Sequence, residues 1–344
     1  MTERRGVVTA GSWCVDFNKL IARWPQEDTS NEVLAIDRQG GGAACNMAID
    51  LRRLDSSLPV ATIGLVGNDD NGRFLIEQCD LWGIERSRLR TIAGERSFSV
   101  DALTIQGTGR RTHFFSPGVA ARFSPEHCDF SDVSADILHL GLPGAHRTMD
   151  APWKDEGNGW AAALKAARAQ GLRTNLETMT ISRERIRALA APCLPHLDFL
   201  IVNDFEIGAI ADMETREGEE PDIAAIWRAA EAIFARGPLQ WIVVHFPAGS
   251  LAARRDGARL ASGSVAMPPE SIVGVNGAGD AFAAGVLYGL HQRWRDEDSL
   301  ALGHASAAAS LRALSTTGGV VSVGECLALA RTWGSRDAPR QRFV

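Results

Sequence analysis

The stretch GVNGAGDAFAAG at residues 274–285 places one carboxylate, Asp280, among glycines at the start of a small-residue helical run. Glycines let the backbone approach a ligand closely. The first turn of a helix has unpaired N–H groups and the positive end of the helix dipole. Together these features favour an anion site, most often for phosphate. A carboxylate beside such a site is solvated, caps the helix, holds a metal or accepts a proton, and this stretch alone leaves all four roles open.

A second glycine-rich segment, GGGAACNMAIDLRRLD at 40–55, lies more than 200 residues earlier and leads into PVATIGLVGNDDNGRFL at 59–75. The sequence has no GxxxxGK[ST] motif for phosphate binding, no HExxH motif for zinc and no GxSxG motif for acyl transfer. GGGAAC resembles the start of a dinucleotide fingerprint, but Cys45 stands where its last glycine belongs. A dinucleotide oxidoreductase is therefore a distant alternative.

The elements that must position these residues alternate between buried strands and helices. Apolar runs predict strands at 6–11, 59–67, 136–142, 171–177, 198–203 and 239–246, and helical periodicity appears at 44–54, 72–83, 159–171, 223–237, 279–294 and 299–315. This alternation predicts an α/β fold, a three-layer α/β/α sandwich with a mostly parallel central sheet. Ligands of such sheets bind beyond the carboxyl ends of the strands. Asn175, Asn203 and His245 each fall at such an end.

Three segments do not follow this alternation and are predicted to be strands, at 15–24, 31–39 and 95–118. The last segment is predicted to form two strands joined by a GTGR turn. They predict a small β-sheet set apart from the core, over about 14–39 and 96–116. We interpret this sheet as a lid, with an edge extension of the main sheet as the alternative. The tail GSRDAPRQRFV after Trp333 is expected to be loosely held.

Composition narrows the class of protein. The chain has 344 residues, a net charge of −6 and 45% hydrophobic residues, which fits a globular protein and argues against nucleic-acid or acidic-membrane partners. The six cysteines are scattered without a CxxC pair, as is typical of reduced thiols in a cytosolic protein. The N-terminus does not resemble a signal peptide, and no apolar run approaches the roughly 20 residues that cross a bilayer. We expect a cytoplasmic protein.

Taken in order along the chain, the motifs resemble the ribokinase-like (PfkB) family of carbohydrate kinases. The family's first signature is matched by Gly41, Gly42, Asn46, Ala48, Gly64, Gly67, Asp69 and Gly72, and its second by Gly277, Ala278, Gly279, Asp280, Phe282 and Gly285. NDFE at 203–206 is similar to the family's N-x-x-E, and Asp16 fits its substrate aspartate. The resemblance runs from about residue 7 to 323. It implies a single ribokinase-like kinase domain over residues 1–344 that includes the β lid.

The resemblance also implies an activity, the transfer of the γ-phosphoryl group of ATP to a hydroxyl of a sugar or sugar acid. The N–H groups of Gly277, Ala278 and Gly279 would hold the transferring phosphate, and Asp280 would accept the hydroxyl proton. The alternative role for Asp280 is a helix cap, worth about 1 kcal/mol.

Further roles follow from the same resemblance. Four residues would bind the substrate's hydroxyls, namely Asp16, Gly41, Gly42 and Asn46. A solvated turn carboxylate and a helix-cap amide are the alternatives for Asp16 and Asn46. Six residues are assigned to the nucleotide: Asn203, Glu206, His245, Gly249, Asn276 and Ser306. Glu206 would organise Mg²⁺ through water, and its alternative is an exposed helix acid.

The sequence departs from the family pattern at three places. Gly274 and Val275 stand where relatives carry Asp-Thr, so activation by a monovalent cation is doubtful. HFPAGS at 245–250 replaces T-x-G-x-x-G, so the nucleotide sits differently or the donor is not ATP; His245 either contacts phosphate or packs at its strand end. Gly-Leu-Pro at 141–143 lacks the substrate glutamate of ribokinases, which argues against ribose.

Two other functions stay open on the same fold. An aromatic platform in the lid would favour a nucleoside kinase, and Phe114 and Phe115 allow it. The altered 245–250 and 274–275 segments allow a ligand-binding homologue with impaired catalysis. We also expect a homodimer formed through the lid, because a small β layer rarely covers both of its faces alone.

Overall fold

The computed structural model describes residues 5–340. The strands are β1 Val7–Gly11, β2 Cys14–Ile21, β3 Val33–Gly41, β4 Val60–Gly67, β5 Glu85–Ile92, β6 Phe98–Ile105, β7 Arg111–Ser116, β8 Ile137–Gly141, β9 Arg173–Leu176, β10 Phe199–Asn203, β11 Arg216–Glu217, β12 Glu220–Pro221, β13 Trp241–Phe246, β14 Gly249–Arg254 and β15 Arg259–Gly263. The helices are α1 Ala43–Leu54, α2 Asp70–Trp82, α3 Arg147–Asp150, α4 Gly159–Ala169, α5 Arg183–Ala190, α6 Asp204–Ala211, α7 Ile223–Phe234, α8 Ala278–His291, α9 Asp296–Ser310 and α10 Val323–Trp333.

Nine strands form the central sheet, in the order β15-β14-β13-β10-β9-β8-β1-β4-β5. The seven strands from β13 to β5 pair in parallel, and β14 and β15 add an antiparallel edge. β1 is buried at every residue, as expected for a strand covered on both faces. Its side chains alternate between two cores, with Val8 and Ala10 in one and Val7 in the other.

Each core joins one face of the sheet to one layer of helices. The first contains Trp160 of α4, Ile207 of α6 and Ile226 of α7, and the second contains Met47 of α1 and Phe282 of α8. The prediction of a three-layer α/β/α sandwich is therefore confirmed. Within residues 5–340, no helix is both long and apolar enough to cross a membrane.

The lid is a separate four-stranded sheet in the order β3-β2-β6-β7. β2 and β6 run parallel, and the two outer pairs are antiparallel. The predicted GTGR turn connects β6 to β7. Because side chains alternate along a strand, Asp16 and Asn18 share the face that we call the inner face, and Phe17 and Lys19 lie on the opposite, outer face. The prediction of a small sheet apart from the core is confirmed.

The structure also contains elements that the sequence did not reveal: β5, β11, β12, β14, β15, α3, α5, α6 and α10. β5 reads ERSRLRTI and is mostly exposed, because it lies at the edge of the central sheet and its charged residues hide the strand pattern. The expectation for the tail is wrong within the described residues. Ala266 N donates to Gly334 O (2.9 Å) and Arg336 N to Ser264 O (2.7 Å), so the tail is fixed beside β15 as far as these residues. Residues 341–344 lie outside the described part.

Candidate active site

The polar residues of the two glycine-rich segments that could take part in catalysis lie close together beneath the lid. Asn46 Nδ2, on α1, donates a hydrogen bond to Asp280 Oδ2 of α8 at 2.7 Å. Asp16 lies on the inner face of β2, where burial and the nearby charge of Asp280 raise its pKa. Two carboxylates and an amide from three distant parts of the chain therefore share one site.

Helix α8 begins directly before Asp280. Its N-cap is Gly277, which has a φ of 71°, and a Cβ there would lie 2.1 Å from Thr316 O. Only glycine fits this left-handed, crowded position. The hydrogen bond found for the Asp280 side chain crosses to α1 rather than to the start of its own helix, whose N-cap has no side-chain bond. The geometry therefore argues against a role for Asp280 that is limited to capping α8.

Burial and the nearby negative charge of Glu177 together raise the pKa of Asp280 to about 7, against the opposing effects of the Asn46 hydrogen bond and of His139. A carboxyl with a pKa near neutrality is suited to accept a proton, since the best general bases have pKa values close to the working pH.

Asp16 lies in a tight corner between the lid and the core. A Cβ on Gly41 would lie 2.1 Å from Asp16 Oδ2, so glycine at 41 leaves room for this carboxylate. Cys14 Sγ donates to Asp16 Oδ1 at 3.3 Å. Burial raises the pKa of Asp16 to about 6, and the cation of Arg111 partly opposes that increase. Gly42 is the N-cap of α1, which carries Asn46.

The lid also contacts the loops around the start of α8. Asn276 Nδ2 donates to Asn18 Oδ1 of β2 at 3.3 Å, and Thr316 N donates to Gln39 Oε1 of β3 at 3.2 Å. Asn276, which the sequence assigns to the nucleotide, therefore faces the lid strand.

A hydrogen-bonded group lies at the ends of β8 and β9, and the sequence pattern indicated Asn175 but not its partners His139 and Glu177. His139 Nε2 bonds to Glu177 Oε2 at 2.8 Å, and Asn175 Nδ2 to His139 Nδ1 at 3.0 Å. Burial lowers the pKa of His139 to about 4 and raises that of Glu177 to about 7. Because neutral His139 accepts at Nδ1, its Nε2–H donates to the carboxylate and orients it. The partners belong to different strands, so no local motif reveals them.

A cleft of about 450 Å³ opens on the other side of the start of α8. Its apolar wall includes Val265, Met267, Ile272, Ala307, Ala308 and Leu311, and its polar lining includes Asn203, Asp204, Arg216, Ser264, His304 and Arg336. Ala278, Gly279 and His245, which the sequence singles out, also line it. An apolar cleft with a few convergent polar groups is the usual form of a small-molecule site.

His245 lies beside the glycines of α8. A Cβ on Gly279 would be 3.2 Å from His245 Cε1, and the His245 ring packs on Phe282 with the centroids 5.1 Å apart. Burial lowers the pKa of His245 to about 4, so the imidazole is neutral near pH 7. The ring is packed on Phe282 and also lines the cleft, so the contact of His245 with phosphate stays a prediction.

Asn203 and Glu206 form a capping box at the start of α6. Asn203 Oδ1 accepts from Glu206 N at 2.8 Å, and Glu206 Oε2 accepts from Asn203 N at 3.1 Å. Glu206 is buried rather than exposed, and Thr180 Oγ1 donates to its Oε1 at 3.0 Å. Within residues 5–340, no group of three or more acidic, histidine or cysteine side chains could hold a metal ion. Mg²⁺ usually keeps several of its waters and binds through one or two carboxylates, so it needs no larger cluster of side chains.

Of the six residues assigned to the nucleotide, Asn203 and His245 line the cleft, whereas Glu206, Gly249, Asn276 and Ser306 do not. Gly249 is buried inside β14, where a Cβ would lie 2.3 Å from Ser262 O. Ser306 is fully buried and faces the Cys326 thiol of α10, while Ala307 and Ala308 of the same helix line the cleft. A helix presents adjacent residues to different directions, and the sequence alone did not fix which face of α9 points to the ligand.

Comparison with known proteins agrees with this geometry. The model of the pfkB family carbohydrate kinases matches residues 4–322. An ATP-dependent ribose-1-phosphate kinase of Halopiger xanaduensis is 26% identical over 289 residues, covering 82% of this chain and 83% of that protein. A 5-dehydro-2-deoxygluconokinase of Shouchella clausii is 24% identical over 342 residues, covering 94% of each.

A solved structure, the Arabidopsis thaliana ribokinase complexed with ribose and ATP, has a TM-score of 0.77 at 18% identity and covers 95% of this chain and 99% of that one. At this identity the likeness shows a shared fold. The family match over nearly the whole chain carries the assignment further: the chain belongs to the pfkB family carbohydrate kinases and is a carbohydrate kinase.

Proposed function

We propose that the enzyme transfers the γ-phosphoryl group of ATP to a hydroxyl of a sugar or sugar acid. The observation that carries this proposal is the position of Asp280. Its carboxylate accepts a hydrogen bond from Asn46 on the side that it shares with Asp16. On the other side, the helix that carries Asp280 begins at residues that line the 450 Å³ cleft. An acceptor and a nucleotide placed on these two sides would meet at the start of α8.

The proposed reaction assigns each group one task. Asp16, Asn46 and the backbone at Gly41 and Gly42 hold the acceptor's hydroxyls. As the acceptor oxygen forms its bond to the γ-phosphorus, its proton passes to Asp280, and the bond from the γ-phosphorus to the bridging oxygen of ADP breaks. A positioned base of this kind contributes roughly 10²–10⁴-fold to the rate.

The start of α8 would stabilise the transferring phosphoryl group. The backbone N–H groups of Gly277, Ala278 and Gly279 lie at the positive end of a helix of 14 residues, and phosphoryl transfer depends mainly on such positioning and charge stabilisation. Neutral His245 beside Gly279 adds a hydrogen-bonding group without charge.

For the nucleotide, we propose that the base packs against the apolar wall of the cleft and that its phosphates extend past Asn203 and His245 to α8. Gly249 and Ser306 lie away from this path, and we give them no direct contact. Asn276 acts through the lid.

Glu206 would hold Mg²⁺ through water, and the ion would neutralise charge on the phosphates. Gly274 supplies no carboxylate, and a Cβ there would lie 2.7 Å from Ala313 O. We therefore expect little activation by K⁺.

The acceptor class is narrowed by the relatives. The names of two of them specify a deoxygluconate and a ribose phosphate as the groups that they act on. A sugar derivative with an acidic group is accordingly our first choice of acceptor. A nucleoside is the second candidate, because Phe115 lies on the inner face of the lid with 48% of its surface exposed; Phe114 points to the outer face.

The proposal is tested by measuring ADP formation from ATP and Mg²⁺ with a panel of hexoses, pentoses, sugar acids, sugar phosphates and nucleosides. We expect acceptor-dependent ADP formation with a sugar or sugar acid. Turnover with nucleosides alone would select the second candidate. No acceptor-dependent turnover, despite measurable ATP binding, would favour a homologue with impaired catalysis and contradict the proposal.

We further propose a cytoplasmic location and a homodimer. All six cysteines are free and buried, which fits a reducing compartment. The dimer would form through the outer face of the lid.

A further inference from the structure

The inner face of the lid carries one arginine, Arg111, at the start of β7. In the sheet register, Arg111 is opposite Thr104 of β6, and Thr104 is opposite Leu20 of β2. Leu20 lies four residues beyond Asp16, so its side chain points to the same face as Asp16 and Asn18. Arg111 therefore faces the acceptor side of the lid.

Arg111 has an unusual electrostatic position. Its side chain is half-buried, and its Nε donates to Thr104 Oγ1 at 2.9 Å. Burial lowers the pKa of the guanidinium, and the charge of Asp16 opposes that effect. Among the described residues it forms no ion pair with an acidic side chain. A guanidinium has five N–H donors in a planar fork, and most of them are left without a protein acceptor here.

The two other lysine and arginine side chains in the lid strands, Lys19 and Arg38, lie on the outer face and have protein partners. Lys19 lies on the outer face and pairs with Asp101 at 2.6 Å. Arg38, also on the outer face, donates to Asn71 Oδ1 at 3.0 Å and stacks over the Phe74 ring at 4.4 Å. Arg111 thus differs from both, because it is a partly desolvated cation aimed at a ligand site. Partly buried charges are costly unless an opposite charge meets them.

We infer that Arg111 binds an anionic group of the acceptor, a carboxylate or a phosphate, and so selects acidic sugars over neutral ones. This inference rests on the proposed function, since it takes the acceptor to lie between Asp16 and Asp280. A planar guanidinium matches both groups, because two of its N–H donors can meet two oxygens at once.

The sheet register also indicates which end of the acceptor carries the anionic group. Leu20 lies four residues beyond Asp16, about 13 Å along β2. The long side chain of Arg111 spans part of this distance. The hydroxyls that Asp16 and Asn46 hold lie at the Asp280 end. The acidic group is therefore at the end of the acceptor remote from the hydroxyl that becomes phosphorylated.

The test compares matched acceptors in wild type and in Arg111→Gln and Arg111→Lys. D-gluconate against D-glucitol and ribose 1-phosphate against ribose are pairs that differ mainly by the anionic group. For Arg111→Gln we expect kcat/KM for the anionic member to fall roughly 10- to 100-fold, as for a lost hydrogen bond to a charged group, with the neutral member nearly unchanged. Lysine keeps the charge but not the fork, so Arg111→Lys should restore part of the loss.

Two control variants separate this role from a general effect of lid charge. Lys19→Gln removes a cation from the outer face, and Arg110→Gln removes one from the neighbouring turn; both should leave the ratio of anionic to neutral acceptor unchanged. Thermal unfolding checks that each variant is folded.

The inference is overturned if wild type prefers the neutral member of both pairs, or if Arg111→Gln leaves the ratio unchanged. Failure of the proposed function looks different, because no acceptor then stimulates ADP formation. In that case calorimetric binding of the same pairs still decides the role of Arg111: an equal affinity of wild type and Arg111→Gln for the anionic member contradicts it.

Discussion

Asp280 differs from an ordinary helix carboxylate because it is buried and has other acidic groups nearby. Glu177 raises its pKa, and Asp280 in turn raises the pKa of Asp16 and of buried Asp50. Like charges close together disfavour ionisation of all of them, and burial adds to the effect. The site therefore holds a base that is half-ionised near neutral pH, whereas a free aspartate would already be fully ionised and a weaker base.

This arrangement predicts how the rate depends on pH. Asp280 must be ionised to accept a proton and its pKa is about 7, so kcat/KM should rise with pH through about 7 and fall on the acid side. Glu177→Gln removes a negative charge from the surroundings, and the acid limb should then move to lower pH. The measurement is the pH profile of kcat/KM for both proteins with one acceptor.

A suitable control for that profile is Glu214→Gln, because Glu214 is an exposed acid that pairs with Arg183. Its profile should match wild type. An acid limb of Glu177→Gln that stays in place, or moves to higher pH, would contradict the assigned coupling between Glu177 and Asp280.

At this scale the sequence predicted the local residues and missed those that act across the fold. Gly277, Asp280 and Asn46 lie in contiguous motifs, so their types and spacing carry the chemistry. His139 and Glu177 are brought together only by the parallel pairing of β8 and β9. Arg111 was not singled out either, because a lone arginine in a strand has no pattern until the register gives its face.

At the scale of elements, the lid is connected to the catalytic helix by amide side chains. Asn18 of β2 contacts Asn276, and Gln39 of β3 contacts Thr316. Two of the four lid strands, β2 and β3, therefore reach the loops that surround the start of α8. A lid that closes over the reacting groups excludes water and limits wasteful hydrolysis of ATP.

These contacts predict a defined effect of Asn18→Ala. The variant should raise KM for the acceptor about five-fold, the usual effect of losing one hydrogen bond of about 1 kcal/mol, and increase the share of ATP hydrolysed without transfer. The measurement is ADP formed relative to phosphorylated acceptor. Asn31→Ala, an exposed amide in the loop between β2 and β3, serves as the control. Unchanged KM and unchanged coupling in Asn18→Ala would contradict a clamping role.

The main elements were predicted with good bounds because their apolar runs are long and buried. The missed strands lie at the edges of the sheet, where β5 carries arginines and glutamate on its exposed face. The sequence also did not show which face of a helix a residue lies on. Ser306 points to Cys326, while its neighbours Ala307 and Ala308 line the cleft.

At the scale of the whole molecule, the outer face of the lid exposes a band of large apolar side chains. Leu34, Ile36 and Phe114 are 43%, 64% and 52% exposed, and Trp24, 45% exposed, stacks on Phe114 with the ring centroids 6.1 Å apart. Exposed apolar groups on a sheet with open edges favour association with another protein surface. A second copy of the same lid is the partner that we propose.

The proposed dimer predicts that sedimentation gives twice the mass of one chain, and that Ile36→Glu combined with Phe114→Glu shifts the protein to monomers. Charge placed in an apolar interface is poorly tolerated because it must be desolvated. Leu81→Glu is the matched control, since Leu81 is 68% exposed on α2 outside the lid, and it should remain dimeric. Monomeric wild type at micromolar concentration would contradict this assembly.

The central claim is that Asp280 removes the acceptor's proton during phosphoryl transfer. Its most direct test is the single-turnover rate of transfer from ATP to the best acceptor in Asp280→Asn, with ATP affinity measured by calorimetry on the same protein. We predict a rate lower by roughly 10²–10⁴-fold with ATP affinity changed only slightly, because asparagine preserves the shape of the side chain but cannot take the proton. A folded Asp280→Asn variant that transfers phosphoryl groups at a rate close to wild type would contradict the claim.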